Sequence, residues 1–483
     1  MTTRRSFIKT AGLAAAAVTI VPRHVLGKGF KAPSDTLYIA GIGVGGKGQS
    51  DLTSFAGSID GKIKGHPKAN IAYLCDVDDR RATESVRNFP KAKYYKDYRK
   101  MLDAEHKHID AVSVSTPDHM HAVQAMAAMQ LGKHVYVQKP LTHDIYEARM
   151  LTEAAKKYKV VTQMGNQGAS GDGVRQMREW YSAGLIGDVH TVYCWTNRPV
   201  WPQGIPWSDK KAEVPKELDW DLWLGTAPYK DYVEKLVPFN WRGWWDYGTG
   251  ALGDMACHII EPAFRTLGLG YPTEVECSVG SVYVDEFRRG YFPESCPPSS
   301  HITLKFNGVN GKPDIKFHWM DGGIQPERPD ELGPNEVFGD GGNGVLMIGT
   351  KGKMMCGTYG INPQLLPTSR TKEANVPQTI KRVTGGAEPG HYLQWVDGCI
   401  AGYGKTELSS DFALAGPLTE SILMGNLALR SFDIRKPREN RPDQFDYPGR
   451  YIKLLWDGPN MKITNFDEAN QFVKRTYRQG YSL

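Results

Sequence analysis

Paired cysteines, clustered charge and long apolar runs are all scarce in this chain of 483 residues. Seven cysteines (Cys75, Cys194, Cys257, Cys277, Cys296, Cys356 and Cys399) are scattered, odd in number and show no CxxC spacing. That pattern suits neither a zinc site nor a disulfide framework, and mostly buried free thiols are expected. The net charge of +6 is concentrated at one end. Residues 1–28 hold Arg4, Arg5, Lys9, Arg23 and Lys28 and no acid, which leaves the rest of the chain at +1. A nearly neutral body without a Lys/Arg tract lacks the electrostatic footprint of a nucleic-acid binder. Outside residues 11–21 no long apolar stretch occurs, so no integral membrane span is expected in the mature protein. No internal repeat is present.

What is there begins with an address. Arg4-Arg5-Ser6-Phe7-Ile8-Lys9 precedes an alanine-rich apolar stretch at 11–21. The paired arginines followed by Phe-Ile-Lys resemble a twin-arginine export signal. Residues 1–30 are therefore read as a leader, and a periplasmic or otherwise extracytoplasmic location is expected. No clear small-x-small site marks the cut.

From Thr36 onward, short apolar runs alternate with helical stretches. Runs at 37–42, 71–75, 109–115, 135–137 and 160–164 read as strands, with a helix at 143–157 before the last. Strands separated by helices imply right-handed crossovers and a doubly wound parallel sheet with both faces covered. In that setting Gly41-Ile42-Gly43-Val44-Gly45-Gly46 satisfies GxGxxG directly after a strand. Gly41 permits the tight turn, Gly43 lets the backbone approach a pyrophosphate, and Gly46 allows close helix–strand packing. Asp76 ends the next strand, where it can accept from ribose hydroxyls and repel a ribose phosphate, so NAD is expected as cofactor. Arg80 and Arg81 moderate that preference. A loop at 57–68 lengthens the usual glycine-to-acid spacing.

Residues 248–258 read Gly-Thr-Gly-Ala-Leu-Gly-Asp-Met-Ala-Cys-His. Asp254 and His258, four apart on a helix, share one face, so the carboxylate can orient the imidazole as a general base. By themselves they read first as a helix-start acid and a core histidine.

With the glycine fingerprint, Thr116-Pro117, Lys139-Pro140 and Asp254-x3-His258 in this order, the chain resembles the Gfo/Idh/MocA oxidoreductases from about residue 35 to the end. The resemblance implies an N-terminal Rossmann domain (31–165) and a C-terminal α/β domain (166–483). The large, mostly antiparallel sheet of the latter often forms the oligomer interface, so a homo-oligomer, dimer or tetramer, is expected. The family's catalytic lysine maps to Lys139 and its helix aspartate and histidine to Asp254 and His258. The usual glutamate before the lysine is Gln138 here, which removes a carboxylate from beside the ammonium.

The expected site follows. Lys139, Asp254 and His258 handle charge and proton. Gly41, Gly43, Val44, Gly46, Asp76, Thr116, Pro117, His121, Gln138, Lys139, Asn166 and Gln167 face the cofactor. Nine of twelve tryptophans fall between Trp180 and Trp245. Indole faces beside polar donors suit a sugar ring, and core packing accounts for the majority. Asn197, Arg198, Trp207, Trp241, Arg242 and Tyr247 are the expected carbohydrate contacts. The implied activity is hydride transfer between NAD and a secondary hydroxyl of a sugar, glycoside or polyol. An NAD-dependent glycoside hydrolase is the alternative; it needs a further base, for which Tyr247 or His391 is available. No metal site is read. Strands at 274–284 and 301–306 and helices at 390–401, 418–430 (with Pro417 in its first turn) and 467–474 complete the reading, with a loop at 321–344 as a lid, arm or contact.

Overall fold

Strand β1 (Leu37–Ile42) is apolar at nearly every position because helices cover both faces of the sheet it belongs to. The computed structural model describes residues 36–56, 65–308 and 311–483. Residues 1–30, expected to be a leader, and most of the loop at 57–68 lie outside the described residues. After β1 come α1 (Lys47–Phe55), β2 (Ala69–Cys75), α2 (Asp79–Asn88), β3 (Lys93–Tyr95) and α3 (Tyr98–Glu105). Then follow β4 (Ala111–Val114), α4 (Asp118–Gln130), β5 (His134–Val137), α5 (Ile145–Tyr158) and β6 (Thr162–Met164). The six strands pair in the order β3-β2-β1-β4-β5-β6, all parallel. This is the doubly wound sheet expected from the sequence. The three-residue edge strand β3 was too short to show as a periodic run. Chain direction across the sheet reverses between β1 and β4, and ligands bind outside the carboxyl ends at such a point.

The second half builds a larger sheet. Its elements are α6 (Asp172–Ser182), β7 (Val189–Trp195), α7 (Trp220–Leu224), α8 (Gly250–Leu267), β8 (Glu274–Val279), β9 (Ser300–Phe306), β10 (Ile315–Met320), β11 (Gly344–Gly349), β12 (Gly352–Cys356) and β13 (Gln364–Leu366). Helices α9 (His391–Ala401) and α10 (Phe412–Phe432) and strands β14 (Leu454–Asp457) and β15 (Lys462–Ile463) follow. The order is β13-β12-β11-β7-β10-β9-β8-β14-β15, antiparallel except where β7 meets β10. Strand β9 alternates buried and half-exposed residues, as a sheet with helices on one face should. Ile302, Leu304 and Phe306 point to the core; His301, Thr303 and Lys305 point away.

Helix α10 corrects the expected start at 418. Asp411 caps it by accepting from Leu414 N–H, so the helix begins at Phe412 and Pro417 falls inside it. Among the described residues it is the one helix long and apolar enough to cross a membrane, and it is buried within the protein. The loop at 321–343 is irregular but anchored: Leu332 and Phe338 pack with Trp195, Met320 and Leu346. Helix α9 returns to the first half, where Tyr392, Trp395 and Val396 join Ile39, Phe55 and Tyr136 in one core. All seven cysteines are free, six of them buried.

Candidate active site

The turn after β1 brings two glycines into left-handed backbone, Gly43 at φ 76° and Gly46 at φ 55°. A Cβ at Gly43 would stand 2.7 Å from the Ser115 carbonyl oxygen, and one at Gly48 only 1.8 Å from the Gly43 oxygen. Close packing of turn on helix therefore belongs to Gly48, whereas Gly46 is the N-cap of α1 and faces Arg81. Gly41 lies in the strand behind and packs on Leu52.

Asp76 stitches this turn together. One carboxylate oxygen accepts from Val44 N–H (2.9 Å) and Gly45 N–H (3.2 Å), the other from Asp78 N–H (3.0 Å). Burial pushes its pKa up to about 6 against the pull of those donors. Of the two arginines, Arg80 is turned onto Asp78 (2.8 and 2.6 Å), while Arg81 lies along the glycine turn and lines the cavity.

A cavity of about 680 Å³ starts at Gly43, Gly46 and Asp76, passes Thr116, Pro117, Gln138 and Gln167, and reaches Lys139, Asp254 and His258. Strand β5 delivers Lys139 and helix α8 delivers the other two. Lys139 Nζ donates to Asp254 Oδ1 and to the Asp254 carbonyl, both at 2.7 Å, and Arg242 Nε stands 3.2 Å from the same Oδ1. Burial alone would raise the Asp254 carboxyl, but Lys139 and then Arg242 hold it at about 2. The expected Asp254–His258 hydrogen bond is not formed. Helical spacing put both on one face, and the carboxylate turned to two cations instead. His258 is buried, its Nδ1 has no hydrogen-bond partner among the described residues, and burial with the nearby Lys139 pushes its pKa well below the usual histidine value. It enters the cavity neutral, edge-on to the Tyr359 ring at 4.6 Å.

Gln138 has a specific partner. Its amide N donates to Asp51 Oδ2 at 2.8 Å, and the fully buried Asp51 also accepts from Ser115 Oγ (2.9 Å), Tyr392 OH (3.1 Å) and Lys47 Nζ (2.9 Å). The carboxylate missing at 138 thus stands one layer behind, on α1, and an amide is what can face it. Gln138→Glu is expected to set two carboxylates against each other and cost on the order of 3 kcal/mol, read as a fall in denaturation midpoint. Adding Asp51→Asn should recover most of it; a stable single variant would refute this account.

The remaining expected cofactor residues divide. Gln167 lines the cavity, its side-chain amide 2.8 Å from the Tyr392 hydroxyl. Asn166 is buried with neither side-chain polar atom partnered. His121 stands behind the wall, bridging the carbonyls of Thr116 (2.7 Å) and Pro140 (2.8 Å) and so fixing two turns that face the cavity. Val44 contributes its backbone only.

Among the expected carbohydrate contacts, Arg198, Trp241 and Arg242 line the cavity. The Arg242 guanidinium lies over the rings of Trp241 (4.4 Å) and Phe239 (4.8 Å). Asn197, Trp207 and Tyr247 do not reach it. Asn197 is exposed and accepts from Arg198, Trp207 packs edge-on to Trp244 (4.8 Å), and Tyr247 is fully buried between His119 and Trp223. Trp207 and Tyr247 belong to an aromatic satellite core, and of the nine clustered tryptophans Trp201, Trp223 and Trp241 face the cavity. His391 is likewise occupied: Nε2 meets the Met164 carbonyl (2.9 Å) and Nδ1 meets Ser170 Oγ (2.8 Å).

Residues that the sequence reading did not select stand close by. Lys47 and Asp51 carried a visible i, i+4 pairing, but Tyr392 comes from far along the chain. Tyr359 adopts left-handed backbone (φ 63°) between β12 and β13, where Asp340 accepts from Thr358 N–H (3.0 Å) and Oγ (2.6 Å). Such strain in a non-glycine residue persists only when its surroundings fix it. Among the described residues no group of three or more potential metal ligands occurs.

Fold and site define a class, a dinucleotide-binding α/β oxidoreductase with Lys139, Asp254 and His258 gathered at the far end of the crevice. The comparisons agree. Residues 38–166 match the oxidoreductase family with an NAD-binding Rossmann fold, and residues 181–285 match the same family's C-terminal alpha/beta domain. The chain belongs to the Gfo/Idh/MocA oxidoreductase family, and its cofactor is NAD. It is 25% identical over 195 residues to levoglucosan dehydrogenase of Pseudarthrobacter phenanthrenivorans, covering 40% of this chain and 42% of that one. It is 30% identical over 178 residues to a glycosyl hydrolase family 109 protein of Shewanella pealeana, covering 32% and 37%. The matches thus span about two fifths of these curated relatives. In solved structures the fold recurs in levoglucosan dehydrogenase in complex with NADH and L-sorbose (TM-score 0.53, 16% identity, 82% of this chain and 98% of that one). It recurs also in the WlbA dehydrogenase of Bordetella pertussis with NADH and UDP-GlcNAcA (TM-score 0.54, 14% identity, 81% and 95%).

Proposed function

We propose that this protein is an exported oxidoreductase that transfers hydride between a tightly held NAD and a secondary hydroxyl of a sugar, glycoside or polyol. The observation that carries the proposal is the continuity of one cavity from the glycine turn and Asp76 to Lys139 and His258. NAD, when bound, supplies the hydride acceptor. Gly43 lets the turn sit directly against the Ser115 backbone, and Asp76 keeps the turn in shape to receive the phosphates. Lys139, fixed by Asp254, presents a positive charge that favours the substrate oxygen as it loses its proton. His258, neutral and unpartnered at Nδ1, is the base for that proton. Trp201, Trp241 and Phe239 give flat apolar faces for the C–H face of a sugar ring. Levoglucosan and sorbose, named with the relatives, set the kind of ligand to try first.

Export rests on the twin-arginine resemblance of the leader. Free nicotinamide cofactor is scarce outside the cytoplasm, so the cofactor is retained and recycled in place. The half-exposed face of the large sheet, carrying Tyr193, His301 and His318, is the surface for a dimer or tetramer. The test is direct: protein purified from its native compartment should carry one NAD(H) per chain, and its nicotinamide absorbance should respond to a panel of sugars and glycosides. A preparation that neither holds nor binds NAD refutes the proposal.

One observation favours a second reading, NAD-dependent glycoside hydrolysis through transient oxidation, elimination, water addition and reduction. The further base that this cycle needs is supplied in position by Tyr359, beside His258, and not by Tyr247 or His391. Release of an aglycone with no net NADH would select it.

A further inference from the structure

We propose that residues 473–483 form a strap that closes the adenosine end of the NAD site, with Tyr481 as its contact residue, and that the strap slows cofactor release. The inference rests on NAD occupying the cavity described above. That cavity continues past Asp76, away from Lys139, to an end lined by Val77, Tyr98, Leu222 and Tyr481. With phosphates at the glycine turn and the nicotinamide half toward Lys139, this end is left for the adenosine half. Tyr98, Tyr481 and Leu222 at this end, beside Lys96 and Asp97, suit a flat heterocycle, which stacks on aromatic faces.

The strap is anchored at several points along its length. Arg475 donates to Glu147 Oε1 (2.7 and 3.0 Å), Thr226 Oγ1 (2.9 Å) and the His119 carbonyl (2.5 Å). Tyr477 OH donates to the same Glu147 oxygen at 2.6 Å. Arg478 donates to the Gly225 carbonyl (3.0 Å) and to Asp221 at its carboxylate (2.6 Å) and carbonyl (2.7 Å). Glu147 belongs to the dinucleotide domain, whereas residues 221–226 belong to α7 and the turn after it. The segment therefore ties both walls together and then lays Tyr481 over the gap, its ring against the Arg99 guanidinium at 5.1 Å. Three anchors end where an aromatic ring meets the cavity, and packing the walls alone does not require that ring.

The experiment uses the protein loaded with NADH. Its release is followed by loss of nicotinamide fluorescence after a chase with excess NAD, alongside equilibrium binding of AMP and of nicotinamide mononucleotide. Tyr481→Ala is expected to speed release and weaken AMP by about tenfold, the scale of one lost stacking contact, with nicotinamide mononucleotide unchanged. Tyr481→Phe should behave as the parent, because the ring and not the hydroxyl makes the contact. Arg478→Ala should shift release in the same direction as Tyr481→Ala by loosening the anchor. Unchanged release and AMP affinity in Tyr481→Ala would overturn the strap and leave the segment a structural brace. A parent protein that binds neither NAD nor AMP would instead overturn the reading of the site itself.

Discussion

Replacing Lys139 with methionine is expected to lower turnover about 10³-fold while NAD remains bound. In the proposed reaction the lysine supplies the positive charge at the reacting oxygen, and loss of one such fixed group costs on the order of 10²–10³ in rate. It also leaves Asp254, 15% exposed, with Arg242 as its sole remaining cationic partner. Removing one partner of a buried ion pair costs about 3–5 kcal/mol, and Arg242 at 3.2 Å should keep the loss at the lower end. The Asp254 carboxyl should then rise from about 2 toward the ordinary range. Steady-state turnover, bound-nucleotide content and a denaturation midpoint measured together separate these effects. In the double variant Lys139→Met/Asp254→Asn, stability should return and turnover should not. Parent-level turnover in Lys139→Met would remove the lysine from the chemistry.

Gly48→Ala should abolish NAD binding, and its effect is set by backbone. The new methyl would sit 1.8 Å from the Gly43 carbonyl oxygen, which cannot swing aside without moving the turn that Asp76 holds. Overpacking of this kind costs about 1–3 kcal/mol or more. Nucleotide titration and thermal melting give the readout. Gly270→Ala is the control, because a methyl there meets nothing within 4 Å and the backbone is not left-handed. Equal behaviour of the two variants would contradict the close turn-to-helix contact.

The parallel sheet was legible because its strands are short, apolar and separated by helices, a local pattern that burial on both faces imposes on any sequence. Gly43, Asp76, Lys139, Asp254 and His258 were legible because each belongs to a motif of fixed spacing. Two roles were assigned to the wrong neighbour. Gly48, not Gly46, carries the close contact, and Asp254 pairs with Lys139, not with His258. Spacing along one helix shows which side chains share a face, but the choice of partner depends on what another strand brings opposite. Tyr247 failed as a carbohydrate contact for a similar reason, since an aromatic residue in a tryptophan-rich stretch reads alike in a core and at a cavity wall.

By itself, then, the sequence determined the domain class, the cofactor type and three residues, Lys139, Asp254 and His258, that meet in one cavity, all through local periodicity and motif spacing. Tertiary structure alone decided which charges meet: Asp51 with Gln138 and Tyr392, Asp254 with Lys139 and Arg242, and Arg475 with Glu147. These pairs are separated by 12 to 341 residues in the chain. Their identity follows from how the two sheets and the returning segments pack, because a buried charge settles on whichever opposite group or donor the fold places within reach.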